Sequence, residues 1–418
     1  MAEGDENSVH ESVDHLFRHH AGQMVSVLSR IFGLEKLDMI EDAVQDALIS
    51  ALKNWPFAGF PDNPRAWLIQ VSKNKILDRL RRDNRNTSEE ELGSALHGVG
   101  PKDDVYFENE VGEDQLRMIF ACCHPAIPPD AQVALTLKTV GGFGVREIAS
   151  AFLAQEDSVT RMISRAKQKL REGNIRLEIP PPDEIPSRLD AVLKVLYLMF
   201  NEGYSASEGD SLIRTDLCFE AIRLTELLAA HPVTGSPTTH ALAALFLFQG
   251  ARLSSRHDYG GDLLLLSEQD RDGWDQRMLA RALNHFRLSA SGEDLSDFHL
   301  EAEIAACHAL AEDFDSTNWK RILDCYEDLA SRKFSPVVEL NRMIAQARVI
   351  GYENALAELN RFGEDPRMKN YNIFHITHAH FLTETGDNAA AKMSYEKALS
   401  LTRNEPVRRF LQKKLNSL

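Results

Sequence analysis

Apolar residues recur at helical spacing along most of the chain, and this pattern predicts an all-α fold. In residues 11–33 an apolar side chain comes every three or four positions. Residues 37–54 show the same spacing, with the acidic residues on the opposite side. Prolines interrupt the pattern at 55–64, where we expect a loop. A helix over 64–84 follows, with Pro64 in its first turn.

Two segments that lack a sustained apolar pattern divide the chain into domains. Residues 87–112 are acidic and contain glycine, which indicates a loosely structured linker. Residues 179–186, "IPPPDEIP", hold three consecutive prolines, which cannot continue a helix. Around the linker 87–112, the predicted domains are residues 10–86, 113–178, 187–290 and 298–418.

Positive charge is concentrated in two segments of a chain whose formal net charge is −16. Residues 65–85 hold seven Lys or Arg against two Asp, and residues 158–171 hold five against no acid. Such concentration favours a polyanion contacted at two defined places, because affinity for nucleic acid grows with the number of phosphates neutralised. The alternative is that both segments are solvated helix faces.

The second basic segment lies in a predicted helix-turn-helix. Residues 144–172, "GVREIASAFLAQEDSVTRMISRAKQKLRE", divide into a helix over 145–153, a tight turn, and a longer helix over 158–171 that Asp157 or Ser158 would cap. In this motif the second helix enters the major groove of DNA. The alternative is a helical hairpin with a cationic exposed face.

Residues 10–175 resemble an extracytoplasmic-function (ECF) sigma factor, the promoter-recognition subunit of bacterial RNA polymerase. The resemblance rests on the acidic helix "DMIEDAVQDALISALKNW", then "NPRAWLIQVSKNKILDRLRR", an acidic linker and the helix-turn-helix, in that order. It implies that residues 10–86 are sigma region 2 and that the acidic helix within it binds the clamp helices of core polymerase. The implied polymerase-binding residues are Asp38, Asp42, Gln45 and Asp46.

The same resemblance implies two DNA-binding sets. The basic helix of region 2 would melt and read the promoter −10 element through Trp67, Lys73, Asn74, Lys75, Arg79, Arg81 and Arg82. The helix-turn-helix, sigma region 4, would read the −35 element through Glu156, Ser158, Thr160, Arg161, Ser164, Arg165, Lys167 and Lys169, with Arg171 also along the DNA backbone. Melting also needs a stacking surface, for which Trp55, Phe57 and Phe60 supply aromatic rings.

Other classes of protein find little support in the sequence. The stretch "ACCHPAIPPD" at 121–130 lacks a second ligand pair at metal spacing, so we interpret Cys122 and Cys123 as buried, reduced thiols and expect no metal site. Catalytic and nucleotide-binding motifs are missing, and we expect neither an enzyme nor a cofactor. The acidic N-terminus and short apolar runs predict a cytoplasmic protein without membrane contact.

The C-terminal half is predicted to be helical. Residues 371–401 carry small and aromatic residues at the spacing of a tetratricopeptide (TPR) helix pair, with weaker copies upstream, and such arrays bind peptides or proteins. Residues 187–290 resemble the helical extension of one ECF branch, which implies regulation by the extension itself. Polar residues in apolar surroundings there indicate a hydrogen-bond cluster or a ligand pocket: Asn201, Glu202, Tyr204, Asp270, Arg271 and Trp274.

The sequence therefore predicts an ECF-type sigma factor with a C-terminal regulatory extension that is needed for activity. Its expected partners are core RNA polymerase, through the clamp helices and flap, promoter DNA, and a peptide or protein ligand on the TPR-like region. Two alternatives are a helix-turn-helix repressor with a TPR sensor domain, and a TPR adaptor whose DNA-binding regions are vestigial. Binding to core polymerase distinguishes the sigma factor from the repressor and from the adaptor.

Overall fold

The chain folds into two units, residues 1–196 and 197–418, and each is described by itself. The computed structural model describes residues 20–59, 61–83, 108–152, 154–173, 175–204, 215–258 and 262–418. Within these ranges the regular structure is helical and no strand occurs, apart from one isolated bridge between His257 and Leu263. The all-α prediction is confirmed.

The first unit is built from amphipathic helices whose apolar sides form its core. Residues 20–32 form the described part of α1. The later helices are α2 (Leu37–Ala58), α3 (Pro64–Asp83), α4 (Glu108–Cys122), α5 (Pro129–Thr139), α6 (Val145–Ala151), α7 (Glu156–Glu172) and the first part of α8 (Ile185–Tyr204). Asn63 caps α3 by accepting a hydrogen bond from the Ala66 backbone N–H at 3.0 Å.

Helix α1 packs closely on the end of α5. At Gly22, a β-carbon would lie 1.8 Å from the carbonyl oxygen of Val140, so glycine is required for this approach. An ion pair joins α1 to α4 as well, with Nε of the partly exposed Arg30 2.8 Å from Oδ2 of the buried Asp114. Asp114 is 1% exposed and also accepts from Arg117. This polar network holds α1 against α4.

The second unit continues as a series of helices. They are the last part of α8, α9 (Thr215–Ala230), α10 (Pro237–Gly250), α11 (Gln276–Ser289), α12 (Asp297–Leu310), α13 (Trp319–Arg332), α14 (Pro336–Ile350), α15 (Tyr352–Phe362), α16 (Asn372–Glu384), α17 (Asn388–Leu401) and α18 (Glu405–Ser417). Gly386 turns the chain with a φ of 86°, and Asp387 caps α17. Among the described helices, none combines the length and apolarity needed to cross a membrane.

Three sequence-based boundaries were wrong. Helix α2 continues through Pro56 to Ala58, since a proline this close to a helix end removes only one backbone hydrogen bond. Helix α4 starts at Glu108, inside the predicted linker, whose residues 87–107 lie outside the described part of the chain. Helix α7 starts at Glu156, and its N-cap Gln155 makes no side-chain capping bond, so neither Asp157 nor Ser158 caps it.

Candidate nucleic-acid interface

The outer face of α7 is the most accessible of the predicted DNA-binding surfaces. Its buried stripe packs on neighbouring helices through Val159, Ile163, Ala166 and Leu170. Seven members of the predicted −35 set are exposed on the other sides of the helix: Glu156, Ser158, Thr160, Arg161, Ser164, Arg165 and Lys169. This set therefore presents hydroxyl groups, cations and the Glu156 carboxylate, which lies 3.4 Å from Arg146, and the exposed Asp157 adjoins it. Such side chains suit base edges and phosphates.

Lys167 differs from the other members of that set because it is buried. Its side chain is 8% exposed, and its Nζ lies 2.7 Å from Asp38 Oδ1 and 2.9 Å from Glu41 Oε2, both on α2. One helical turn later, Arg171 Nη1 lies 2.8 Å from Asp38 Oδ2. We name this set of four residues the interlock: Asp38, Glu41, Lys167 and Arg171. It joins a predicted polymerase-binding residue to two cations of the predicted DNA-binding helix.

Burial strengthens the electrostatics of the interlock. Burial raises the pKa of the Glu41 carboxyl even though the Lys167 ammonium opposes this. The same burial would lower the pKa of Lys167, yet its two carboxylate partners outweigh it and raise the pKa. Burial likewise works against ionisation of Asp38, whose pKa is nevertheless lowered by Lys167 and Arg171. Lys167 is therefore held as a cation between two acids.

A second set of ion pairs joins α2 to α3. Arg79 bridges two acids, with Nη1 3.0 Å from Asp42 Oδ2 and Nη2 3.3 Å from Asp46 Oδ2. Lys75 Nζ lies 3.8 Å from Asp46. These side chains are between a third and two thirds exposed, so solvent screens the pairs. Two predicted polymerase-binding residues thus contact two residues of the predicted −10 set.

The remaining −10 residues lie along α3 at different depths. Trp67 is half-buried, with its ring centroid 5.5 Å from that of the buried Trp55. Asn74 is exposed and its side chain accepts a hydrogen bond from Gln70 at 2.9 Å. Lys73 is half-buried, and Arg81 and Arg82 are exposed at the end of the helix. Trp55 and Trp67 form an aromatic pair at the start of α3, while the Phe57 side chain and Phe60 lie outside the described part.

Three family models match successive parts of the chain. They are Sigma-70 region 2 over residues 16–86, Sigma-70, region 4 over residues 117–170, and a family of unknown function (DUF6596) over residues 188–290. The uncharacterized protein R00370 of Rhizobium meliloti (strain 1021) is 36% identical over 409 residues, which cover 95% of this chain and 93% of that protein. The chain belongs to the same family as that protein.

A relative with a named activity covers the first part of the chain. The ECF RNA polymerase sigma factor SigM of Mycobacterium tuberculosis (strain ATCC 25618 / H37Rv) is 25% identical over 158 residues, 38% of this chain and 74% of that protein. No solved structure matches the chain significantly. The two sigma-70 regions and this weak similarity support an ECF-like sigma factor, a non-catalytic subunit of transcription initiation. The TPR interpretation of residues 298–418 stays a prediction.

Glu41 is the residue of this sigma-type surface that sequence reasoning missed. It lies three residues after Asp38 and four before Gln45, so these three share one side of α2, whereas Asp42 and Asp46 share another. The structure turns Asp38 and Glu41 toward α7, while Asp42 and Asp46 turn toward α3. Separating the acids of α2 into two faces would have revealed Glu41 from the sequence.

The paired cysteines are part of the region 4 core. Cys122 and Cys123 are fully buried, and their sulfurs lie 3.1 Å from Thr139 Oγ1 and 3.8 Å from Thr136 Oγ1. Burial raises the pKa of both thiols, that of Cys123 to about 12. Thiols that stay protonated are poor nucleophiles and metal ligands, so these two pack as small apolar residues.

Proposed function

We propose that this protein is an ECF-type sigma factor that brings core RNA polymerase to specific promoters in the cytoplasm. The proposal rests above all on one observation, which is that an acidic helix, a basic helix and an exposed helix-turn-helix face occur within two sigma-70 regions. In this proposal α2 contacts the polymerase clamp helices through Asp38, Asp42, Gln45 and Asp46, and region 4 contacts the flap.

The two DNA-binding helices have different tasks in this proposal. Helix α3 holds the melted −10 strand, because cations along its length can follow a phosphate backbone. Trp67, supported by Trp55, offers a surface on which an unstacked base can stack. Helix α7 reads the −35 element as a duplex, with Ser158, Thr160 and Arg161 toward the bases and Lys169 toward the phosphates.

The interlock must open before every predicted residue can contact core polymerase or promoter DNA. Lys167 cannot reach the DNA backbone while it is buried between Asp38 and Glu41, and Asp38 and Arg171, which are 59% and 40% exposed, are engaged with each other. The described arrangement of the first unit therefore corresponds to a closed form of the protein. In this form, acidic side chains of α2 are paired with cations of the DNA-binding helix α7. Polymerase and DNA would each favour opening, because each binds a group that opening releases.

The C-terminal half is proposed to be a regulatory extension with a TPR-like end. In α16 and α17 the small residues Ala379, Ala391 and Ala398 are fully buried and Tyr395 packs beside them. This close packing supports a stacked helix pair of the TPR kind, which would carry a peptide or protein ligand. The extension is proposed to be needed for transcription.

Binding of the full chain to core RNA polymerase tests the central proposal. Saturable binding, followed by run-off transcription from the protein's own upstream DNA, is the expected result. Asp42→Arg should abolish binding, whereas the control Asp183→Arg, at an exposed position outside the predicted surface, should not. Tight DNA binding without polymerase binding would instead establish the helix-turn-helix repressor, and the absence of both would leave the adaptor.

A further inference from the structure

Three arginines gather around the end of α10, within the segment that matches the family of unknown function. Arg252 follows α10 directly, and Arg256 ends the short 3-10 helix Leu253–Ser255. Arg271 lies in the loop before α11, which is tied to the end of α10 by a 2.8 Å hydrogen bond from the Asp275 N–H to the Ala251 carbonyl. Arg252 is close enough to oppose the positive charge of both other arginines.

In the described part of the chain, no carboxylate forms an ion pair with these arginines. The Arg256 guanidinium lies 3.9 Å from the centroid of the Tyr204 ring and donates to the Tyr204 carbonyl, and Arg252 Nε donates to Tyr204 Oη at 3.1 Å. Arg271 Nη1 donates to the carbonyls of His308 and Ala311 at 2.6 and 2.9 Å. All these acceptors are neutral, and among the described residues the one carboxylate that acts on the cluster is Asp313, which favours the charge of Arg271 without a direct ion pair, so much of the positive charge lacks a close counter-charge.

Within the part of the chain that the structure describes, three buried hydrogen-bonding groups in the same place have no partner. Trp274 is 3% exposed and its Nε1–H has no acceptor. Arg271 lies over the Trp274 ring, 4.8 Å from its centroid, and its Nη2 is also buried without an acceptor. Nδ1 of His308, whose carbonyl Arg271 holds, lacks a partner as well. Buried polar groups are normally satisfied, so this set requires an explanation.

We propose that Arg252, Arg271 and Trp274 form a binding site for a phosphate group, either free or carried by a small metabolite. A phosphate carries close to two negative charges and three strong acceptor oxygens. It would balance the arginine charge and accept from the orphaned N–H groups of Arg271 and Trp274. The sequence assigned Arg271 and Trp274 to a hydrogen-bond cluster or a ligand pocket. In this proposal both belong to a ligand pocket.

The state of His308 agrees with an electropositive site. Burial, together with the charges of Arg252 and Arg271, lowers its pKa to about 4. The ring is therefore neutral at pH 7, and its Nδ1 can serve as acceptor or donor according to the tautomer. A bound phosphate would favour the protonated ring and raise this pKa.

Titration of the full chain with inorganic phosphate tests the site, at constant ionic strength against potassium chloride. The readout is the indole N–H resonance of Trp274, one of four tryptophans, assigned with Trp274→Phe. We expect a saturable shift of this resonance together with a rise in melting temperature. Sodium acetate serves as the carboxylate probe, and a response to acetate without one to phosphate would overturn the assignment of the ligand.

Substitution of Arg252 separates binding from folding, because this side chain makes a single hydrogen bond to a neutral group. Arg252→Gln should weaken phosphate binding about tenfold or more, the factor expected for one charge-assisted hydrogen bond. The control Arg277→Gln removes an exposed arginine of α11 and should change the affinity for phosphate less than twofold. Arg252→Lys should bind with intermediate affinity. If phosphate does not change the chemical shift of the Trp274 indole N–H in the wild-type protein, the site is refuted whatever the variants show.

Discussion

The interlock predicts that a mutation outside the DNA-binding surface will strengthen DNA binding. Glu41→Gln keeps the shape of the side chain and removes its charge. Glu41 is buried beside Lys167 and belongs to neither predicted DNA-binding set. If the closed form limits DNA binding by the free protein, its destabilisation should raise the apparent affinity, because that affinity is reduced by the fraction of closed molecules.

The size of the effect follows from the contact that changes. Lys167 Nζ donates to Glu41 Oε2 at 2.9 Å, and the amide oxygen of glutamine can accept the same hydrogen bond. A hydrogen bond to a charged group contributes about 1.5–3 kcal/mol and a neutral one about 0.5–1.5 kcal/mol, so the closed form loses about 1–1.5 kcal/mol. This corresponds to about five- to tenfold tighter DNA binding. The whole range is an upper limit, because burial disfavours the Glu41 charge and its removal offsets part of the loss.

Fluorescence anisotropy with a labelled duplex measures this change. The duplex carries the −35 element of a promoter from which the protein directs run-off transcription. Glu35→Gln is the matched control, because it removes the same charge from a nearby exposed position outside the interlock. In a Lys167→Gln background, Glu41→Gln should have little further effect. Equal affinities for Glu41→Gln and Glu35→Gln would refute the closed form as a barrier to DNA binding.

Three further predictions concern other parts of the molecule. Burial raises the pKa of Glu301 to about 7, although Tyr197 donates to it. The pKa of this carboxyl in the unfolded chain is 4.5, so the free energy of unfolding falls as pH rises from about 4.5 through about 7. In urea unfolding, Glu301→Gln should therefore restore about 2–3 kcal/mol at pH 8 and little at pH 4. Gly22→Ala should lower the melting temperature by several degrees, because its methyl group meets the Val140 backbone. Arg165→Ala should reduce the salt dependence of DNA binding by about one phosphate contact.

Each of these predictions has a matched control. Glu396→Gln removes an exposed carboxylate of the second unit and should not alter the pH profile. Gly144→Ala meets only the flexible carboxylate of Glu147, at 3.2 Å, and should melt within a degree or two of wild type. Arg176→Ala removes an exposed arginine outside α7 and should leave the salt slope unchanged. A variant that behaves like its control contradicts the corresponding reasoning.

Local periodicity predicted most helices but not the contacts between distant ones. Lys167 lies four residues after Ile163 and three before Leu170, so its position in a buried stripe follows from spacing alone. Its partner Asp38 is 129 residues away, and helical spacing carries no information about such a pairing. The wrong boundary at Pro56 had a different origin, since proline is a strong but not absolute signal near a helix end.

The orphaned groups of the arginine cluster show the same limit. The sequence placed Arg271 and Trp274 in one short phrase, "QDRDGWD", and marked both as polar groups in apolar surroundings. Whether the hydrogen bonds of Arg271 are satisfied depends on His308 and Ala311, which come from a separate part of the chain. Only three-dimensional contacts reveal that neutral carbonyls hold one side of Arg271 while the other side has no acceptor among the described residues.

The two sets of ion pairs on α2 imply different costs for the two DNA-binding helices. Arg79 and its acids are more than a third exposed, and such pairs contribute about 0–1 kcal/mol that salt readily screens. Lys167 is buried, and separation from its acids requires α2 and α7 to part. The cations of α3 can therefore exchange carboxylate for phosphate at little cost, whereas the buried Lys167 of α7 cannot. If opening depends on polymerase binding to α2, the free protein should hold a single-stranded −10 element more readily than a −35 duplex.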